Sequence, residues 1–118
     1  ISRTLSTTNL RKYVNDYFGK YDLLLSPSLA VPAFDIGDEP DVIGGKQVPH
    51  RLWGFTPFTY LFNMTGNPGA SAPAGFSSDG LPIGLQIVGD MKDEVSVLAS
   101  SAALEEARPW ADKRPPVS

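Results

Sequence analysis

Apolar residues recur every three or four positions near the start of the chain. They are Leu10, Tyr13, Val14, Tyr17 and Phe18. This spacing places them on one face of an α-helix, with polar residues around the rest. Gly19 follows the last of them and fits the left-handed conformation that often ends a helix. The pattern therefore predicts an amphipathic helix that ends near residue 18.

Three further apolar stretches have the length of β-strands and are flanked by residues typical of turns. The consecutive leucines of Leu23–Leu25 predict a strand that is buried on both faces. Ala70–Phe76 and Pro82–Gly89 flank Ser77–Gly80, whose Asp-Gly pair suits a tight hairpin turn. The second strand of this hairpin is apolar on both faces except at Gln86, so we expect it to lie in the centre of a sheet.

Two more helices are predicted in the second half of the chain. A short helix over Phe58–Asn63 has Thr56 as its expected N-cap. A longer one runs from about Asp93 to Arg108, because Asp93 or Asp90 can cap its start and Pro109 follows its end. Its expected apolar stripe consists of Val95, Leu98, Ala99 and Ala102.

Together these elements predict an α/β fold with about three strands and three helices. Pro27–Pro57 has no periodicity and predicts a loop of about 30 residues, a length typical of functional segments. Gly84 inside the central strand indicates that another segment approaches its backbone closely. A sheet of three strands with an apolar centre is too narrow to cover itself. We therefore expect residues outside this chain to continue the sheet.

Composition narrows the class of protein. The 118 residues suit one compact domain, and the 42% of hydrophobic residues can supply a core. Ten basic and 13 acidic residues give a net charge of −3, which argues against nucleic-acid binding because that requires a basic surface. No apolar run approaches the roughly 20 residues of a membrane-spanning helix, and no cysteine is present. We therefore expect a cytoplasmic protein without disulfides or a membrane segment.

The residues alone offer no convincing catalytic set. The single histidine, His50, lies in the long loop beside Arg51, where a solvated side chain is the usual interpretation. Gly69–Pro73 comes near the G-x-S-x-G nucleophile elbow around Ser71. However, Pro73 replaces the final glycine, and a hairpin follows where an elbow requires a helix. We therefore interpret Ser71 as a small residue on a strand.

Metal and cofactor sites are not predicted either. The long loop holds a cluster of acidic residues, Asp35, Asp38, Glu39 and Asp41. With no His or Cys among them, the cluster predicts no tight metal site and leaves only a weak calcium contact open. Neither of the common glycine-rich phosphate-binding patterns is present.

The densest run of Gly and Pro lies in Thr65–Gly89. In residue order and spacing this segment resembles the C-terminal core of the amidase signature family. Tyr21–Pro27 before it and Glu105-x-x-Arg108-Pro109-Trp110 after it are similar to that family as well. The resemblance extends from about Thr4 to Trp110. It implies a mixed β-sheet flanked by helices, of which this chain holds an incomplete part.

Members of this family hydrolyse amides through an acyl-enzyme, using a Lys, a Ser in a cis peptide and a nucleophilic Ser. Their Gly/Ser-rich nucleophile segment and upstream Lys are not found here, so no catalytic residue is assigned. The resemblance implies that residues 1–118 form the C-terminal segment of an amidase domain, with the N-terminal part as its partner. It also implies a small amide as substrate and is compatible with a homo-oligomer.

The resemblance further implies substrate contacts. The family segment that corresponds to Trp53–Asn63 approaches the substrate pocket, so the expected substrate-binding residues are Trp53, Thr56 and Phe58. Members that form the tRNA-dependent amidotransferase carry an acidic residue near the position of Thr56. Thr56 therefore favours a stand-alone amidase, and Phe55 and Phe58 favour a less polar substrate.

Two alternatives remain at this stage. The chain could be a non-catalytic structural or binding module that retains the amidase fold. It could also be a complete small serine hydrolase that uses Ser71 and His50. Turnover of a simple arylamide by these residues alone would favour the second alternative.

Overall fold

The computed structural model describes residues 7–117. Within them, a three-stranded sheet, a small two-stranded ribbon and three helices follow one another along the chain. They are α1 (Thr7–Phe18), β1 (Leu23–Pro27), β2 (Val42–Ile43), β3 (Lys46–Gln47), α2 (Tyr60–Thr65), β4 (Gly69–Phe76), β5 (Pro82–Gly89) and α3 (Glu94–Ala107). The predicted α/β class is confirmed.

The strand β5 lies in the centre of the sheet, as predicted. The order is β1-β5-β4, and both pairings are antiparallel. The turn of the β4–β5 hairpin is closed by a hydrogen bond from Ser77 N to Leu81 O of 2.8 Å. Gly80 has a φ of 80° in this turn, which glycine adopts without strain. A β-bulge between Pro73 and Gly75 then bends β4 near the turn.

The main core lies between one face of the sheet and the helices α1 and α2. Val88 of β5 is fully buried against Phe18 of α1 and Phe62 of α2. Leu24 of β1 is opposite Val88 in the register and packs against the same cluster. Burying side chains of this size stabilises the fold by roughly 1.5–3 kcal/mol each. Of the predicted apolar stripe of α1, Phe18 belongs to this core and Val14 and Tyr17 pack against it, whereas Tyr13 is exposed.

The helix α3 covers the opposite face near the end of β5. Val97 is 4% exposed, and a Cβ on Gly89 would lie 2.8 Å from Val97 Cγ2 and 3.0 Å from Asp93 O. Glycine at position 89 therefore permits the close approach of helix and strand. Of the two predicted N-caps, Asp93 occupies the position, because its carboxylate accepts a hydrogen bond from Ser96 N of 3.2 Å. Its hydrogen bonds from Ser96 lower the pKa of Asp93 below the usual value.

The predicted apolar stripe of α3 is wrong. Its residues Val95, Leu98, Ala99 and Ala102 are exposed, the first two by 78% and 67%. The side that faces the sheet carries Val97, Ser100, Ser101 and Leu104 instead. Ser100 and Ser101 donate to carbonyls of the preceding turn at 2.7 and 2.8 Å, so their hydroxyls need no water. The more apolar side of α3 therefore faces away from this sheet.

Two predictions about the first half of the chain need correction. The strand β1 is not buried on both faces, because Leu25 is 58% exposed. β1 lies at the edge of the sheet, and α3 packs against β4 and β5 instead. The loop over Pro27–Pro57 contains the ribbon of β2 and β3, which turns at Gly44 and Gly45 with φ of 58° and 76°. Two-residue strands are too short to produce a visible alternation in the sequence.

α1 ends at Phe18 as predicted, but the start of α2 differs from the prediction. α2 begins at Tyr60, and Thr56 does not cap it, because its hydroxyl donates to Trp53 O at 3.0 Å in the preceding turn. Gly66 ends α2 with a φ of 85°, the left-handed conformation that glycine adopts readily. Gly19 follows α1 as expected but does not adopt a positive φ. No helix in residues 7–117 combines the length and apolarity needed to cross a bilayer.

Candidate functional site

Two serines from distant parts of the chain meet above the central strand. Ser28 directly follows β1, Ser71 lies on β4, and their Oγ atoms are hydrogen-bonded at 2.5 Å. Gly84 of β5 lies beneath them, since a Cβ there would come within 2.7 Å of Ser28 Oγ and 2.8 Å of Ser71 Oγ. The close approach predicted at Gly84 is confirmed. We call Ser28 and Ser71 the serine pair.

Two clefts adjoin the serine pair, and both serines line each of them. The larger, about 530 Å³, is the apolar cleft, lined by Ser28, Leu29, Ala30, Val31, Pro32, Ala33, Ser71, Ala72, Pro73, Pro82, Ile83 and Gly84. The smaller, about 340 Å³, is the polar cleft, lined by Ser28, Thr59, Phe62, Asn63, Asn67, Gly69, Ala70, Ser71, Gln86 and Val88. A concave apolar surface with a few convergent polar groups is typical of a small-molecule site.

The amide side chains of the polar cleft hold neighbouring elements together. Gln86, the polar exception on the central strand, is buried and donates from Nε2 to Phe58 O at 2.8 Å and to Ser26 Oγ at 3.1 Å. Asn67 donates from Nδ2 to Gly89 O at 3.0 Å. These bonds link β5 to β1, to the segment that leads into α2 and to the segment before β4. They hold in place the part of the sheet that carries the serine pair.

The clefts contain no group that could act as a general base. Among the described residues, no ionisable side chain lines either of them. A serine nucleophile needs a base within hydrogen-bond reach, whereas the Ser71 hydroxyl contacts Ser28. His50 lies in the long loop, where its Nδ1 accepts a hydrogen bond from Leu52 N of 3.3 Å. The arrangement can bind neutral polar groups but has no means of activating a hydroxyl.

The three expected substrate-binding residues lie in the segment that leads into α2. Trp53 is 63% exposed, and the half-buried Thr56 has its hydroxyl bonded to Trp53 O. Phe58 is half-buried, and its carbonyl accepts from Gln86 of the polar cleft. None of the three is among the residues that line the two clefts. Their role in substrate binding stays a prediction.

Two carboxylates of the acidic cluster in the long loop lie beside an arginine. Arg51 lies 3.6 Å from the Glu39 carboxylate and 3.8 Å from that of Asp41. It also donates to Glu39 O at 3.2 Å and Gly37 O at 3.1 Å. In residues 7–117, no three His, Cys, Asp or Glu side chains are placed to hold a metal ion. Arg51 therefore holds part of the long loop together through Gly37, Glu39 and Asp41.

The serine pair could not be found from the sequence. Ser28 and Ser71 are 43 positions apart, and nothing local connects them. The one signal was Gly84, which marks a close approach without identifying what approaches. Only the strand order, with β5 between β1 and β4, brings the two hydroxyls together.

Comparison with known proteins identifies close relatives. A family model described as Amidase matches residues 2–98. An acylamidase of Rhodococcus erythropolis is 40% identical over 100 residues, which cover 84% of this chain and 21% of that protein. A glutamyl-tRNA(Gln) amidotransferase component of Synechococcus sp. (strain JA-2-3B'a(2-13)) is 41% identical over 100 residues, covering 85% and 18%.

Solved structures agree with these matches. A bacterial aryl acylamidase of the amidase signature enzymes superposes with a TM-score of 0.80 at 39% identity, covering 92% of this chain and 24% of that one. The 6-aminohexanoate cyclic dimer hydrolase superposes with a TM-score of 0.74 at 35% identity, covering 92% and 25%. The chain thus spans only about a fifth of the length of the curated relatives above. Since the family model matches most of its residues, the chain belongs to the amidase signature family.

Proposed function

We propose that this chain is the C-terminal portion of an amide hydrolase that acts on linear carboxamides through an acyl-enzyme. It contributes part of the sheet and one wall of the substrate pocket. The N-terminal part of the amidase is its partner and supplies the catalytic groups. One observation carries this proposal: two clefts meet at the serine pair, yet no ionisable side chain lines either of them in residues 7–117.

The chemistry requires more than these clefts hold. A serine outside this chain attacks the amide carbonyl after a base removes its proton, and the amine leaves protonated. Water then attacks the resulting ester and releases the carboxylic acid. Oxyanion donors must be aimed at the carbonyl oxygen during both steps. The serine pair is hydrogen-bonded internally, so its suitable role is to shape the wall rather than to react.

The lining of the apolar cleft supports a substrate with an apolar acyl or aryl group. Leu29, Val31 and Ile83 contribute aliphatic surface, and the two serines are its polar groups. Phe55 lies near this wall, because its carbonyl accepts a hydrogen bond from Ala30 N of 3.1 Å. Two relatives named above are an acylamidase and an aryl acylamidase. We therefore propose arylamides as the substrate class to test first.

Substrate contacts from Trp53, Thr56 and Phe58 belong to the same proposal. Trp53 is exposed enough to meet a ligand or the missing part of the pocket. Thr56 departs from the acidic residue that amidotransferase members carry near this position. A stand-alone amidase is therefore favoured, although an acylamidase and an amidotransferase component are similarly close in sequence.

A chimera tests the proposal. The 100 matching residues of the Rhodococcus acylamidase are replaced by their counterparts in this chain. We expect the purified chimera to hydrolyse 4-nitroacetanilide, whereas the chain alone should release no nitroaniline. Labelling the chimera with a fluorophosphonate and mapping the modified peptide identifies the nucleophile. We expect the label on a serine of the acylamidase portion.

Three outcomes would contradict the proposal. Turnover by the chain alone would place catalysis within it. A fluorophosphonate label on Ser71 or Ser28 would do the same and would revive the small serine hydrolase. A chimera that is folded and labelled, but hydrolyses no amide, would favour the non-catalytic module that retains the amidase fold.

A further inference from the structure

Gln86 lies in a row of polar residues that crosses the sheet. The register places Ser26 of β1 and Ser71 of β4 directly opposite Gln86. Residues opposite each other on paired strands share one face of a sheet, and so do residues two positions apart on one strand. Val88, fully buried in the main core, therefore lies on the same face as Gln86. Burying an amide beside such a core costs free energy unless its hydrogen bonds are made.

The side-chain nitrogen of Gln86 connects two different elements. Gln86 is 8% exposed, and its Nε2 donates to Phe58 O at 2.8 Å and to Ser26 Oγ at 3.1 Å. The bond to Ser26 lies within the sheet, where the β1–β5 ladder already joins the two strands. The bond to Phe58 instead ties the sheet to the segment before α2. Loss of the Gln86 amide should therefore loosen that segment more than the sheet.

Residues 53–59 form a segment that is bonded internally. Thr56 N and Thr56 Oγ1 both donate to Trp53 O, at 3.1 and 3.0 Å. Thr59 Oγ1 donates to Thr56 O at 3.4 Å. These local bonds join its two ends, so a shift at one end is carried along the 53–59 segment.

Two hydrogen bonds in residues 7–117 attach the 53–59 segment to distant parts of the chain. Ala30 N donates to Phe55 O at 3.1 Å, and the ring of Phe34 meets that of Phe55 edge-on at 5.0 Å. The second attachment is the bond from Gln86 to Phe58 O. The first hydrogen bond joins two backbone groups, whereas the second depends on one side chain. Only the second can be removed cleanly by substitution.

The two attachments also place the 53–59 segment relative to both clefts. Ala30 lines the apolar cleft, and Thr59 and Gln86 line the polar cleft. The segment therefore runs from the wall of one cleft to the wall of the other. Its position there depends at one end on Gln86.

We propose that Gln86 is a positioning residue for substrate binding, which holds the 53–59 segment in its binding position through Phe58 O. This inference rests on the proposed function, because that proposal assigns substrate contacts to this segment. Gln86 carries no charge and does not react. Its loss should weaken contacts that are made equally in the ground state and the transition state, which raises KM and leaves kcat nearly unchanged.

Steady-state kinetics of the acylamidase chimera with 4-nitroacetanilide test the proposal. Gln86→Leu removes the donor, and we expect KM to rise by about tenfold, as for the loss of one buried hydrogen bond. With active sites counted by fluorophosphonate labelling, kcat should change by less than about twofold. Ser26→Ala is the matched control, because it deletes the other bond of Gln86 and keeps the one to Phe58. Its KM should stay within about twofold of the wild type.

Gln86→Glu makes the same hydrogen bond depend on pH. An ionised carboxylate cannot donate to Phe58 O, whereas a protonated carboxyl can. Burial raises the pKa of such a carboxyl above the roughly 4.3 of glutamate in water. No ionisable side chain of residues 7–117 lines the polar cleft to oppose this shift. We expect the KM ratio of Gln86→Glu to wild type to fall from about tenfold near pH 9 to about twofold near pH 5, and that of Gln86→Leu to stay constant.

Amide hydrogen exchange provides a readout that needs no activity. The Thr56 N–H is bonded to Trp53 O inside the 53–59 segment. In the folded chimera, Gln86→Leu should speed exchange of this N–H by about tenfold, because the segment opens more often. Ser26→Ala should leave its exchange rate unchanged.

Several results would overturn the inference. An unchanged KM in Gln86→Leu, or an equal rise in Ser26→Ala, would show that Gln86 has no particular effect on binding. A KM ratio of Gln86→Glu that does not fall with pH would do the same, and this variant decides the matter if Gln86→Leu fails to fold. Unchanged exchange at Thr56 in Gln86→Leu would show that Gln86 does not hold the segment.

The two proposals can fail separately. A chimera that hydrolyses arylamides with the same KM in wild type and Gln86→Leu would refute the inference and leave the proposed function intact. A folded chimera without hydrolysis would refute the proposed function, and exchange at Thr56 would still decide whether Gln86 holds the 53–59 segment.

Discussion

Replacing Gly84 by alanine is the sharpest test of the serine pair. The added Cβ would lie 2.7 Å from Ser28 Oγ, 2.8 Å from Ser71 Oγ and 3.0 Å from Ser28 Cβ. The first two distances are shorter than a methyl group tolerates, so β1 and β4 must both move or both hydroxyls must rotate away. Overpacking of this kind costs about 1–3 kcal/mol. Losing the hydroxyl–hydroxyl bond adds roughly 1 kcal/mol, so we expect Gly84→Ala to destabilise by about 2–4 kcal/mol.

A matched control comes from the neighbouring strand. A Cβ on Gly69 would lie 3.7 Å from Val88 Cγ2 and 3.8 Å from Ile87 O, which is ordinary contact. Neither Gly69 nor Gly84 has a positive φ, so alanine is allowed by the backbone at both positions. We expect Gly69→Ala to change the free energy of unfolding by less than about 1 kcal/mol in either direction.

The assay is pulse proteolysis of the acylamidase chimera across a urea gradient, which reports the fraction that remains folded. Removing both hydroxyls with Ser28→Ala and Ser71→Ala should restore part of the stability lost in Gly84→Ala. We expect a coupling of at least about 1 kcal/mol between the glycine and the serines. If Gly84→Ala is as stable as Gly69→Ala, or if the serine changes give no relief, the described geometry of the site is wrong.

Three further predictions concern α3, the polar cleft and the exposed surface. Hydrogen bonds from Ser96 lower the pKa of Asp93, so its carboxylate stabilises α3 above its unfolded-state pKa, and the effect is lost as the pH falls through the folded-state value. Asp93→Asn should remove this pH-dependent stabilisation of α3. During acid titration followed by circular dichroism, the wild type should lose this stabilisation as the pH falls, and Asp93→Asn should not. Gln86→Leu leaves Phe58 O and Ser26 Oγ without their donor, so a loss of about 1–3 kcal/mol is expected in the same proteolysis assay. The isolated chain should aggregate or bind a hydrophobic dye because the apolar stripe of α3 is exposed, and a dye-free monomer with a sharp melt would contradict this.

Elements bounded by turn or capping residues could be predicted from the sequence. Pro82–Gly89 was predicted with the bounds that the structure gives, because an Asp-Gly turn precedes it and a glycine ends it. The cap at Asp93 was also predictable, since the hydrogen bond to Ser96 N spans three residues of one helix turn. Such features depend on neighbours in sequence, which a single chain displays directly.

Features that depend on distant neighbours could not be predicted. Hydrophobicity favoured Val95 and Leu98 as the buried side of α3, but Val97 and two serines face the sheet instead. The hydroxyls of these partly buried serines donate hydrogen bonds to backbone carbonyls of α3. The leucines of β1 indicated burial on both faces, whereas the edge position leaves Leu25 exposed. The residues that line the clefts could not be predicted either, because they meet only through the strand order β1-β5-β4.

The strand order has a consequence for the sequence of folding events. Ser77 and Leu81 join the β4–β5 hairpin across four positions, whereas Ser26 and Gln86 join β1 to β5 across 60. Closing the longer loop costs about 2–2.5 kcal/mol more in chain entropy, because each doubling of length adds roughly 0.6 kcal/mol. The hairpin can therefore nucleate first, and β1 docks onto a template that already exists. Substitutions in the hairpin should slow refolding, and those in β1 should mainly speed unfolding.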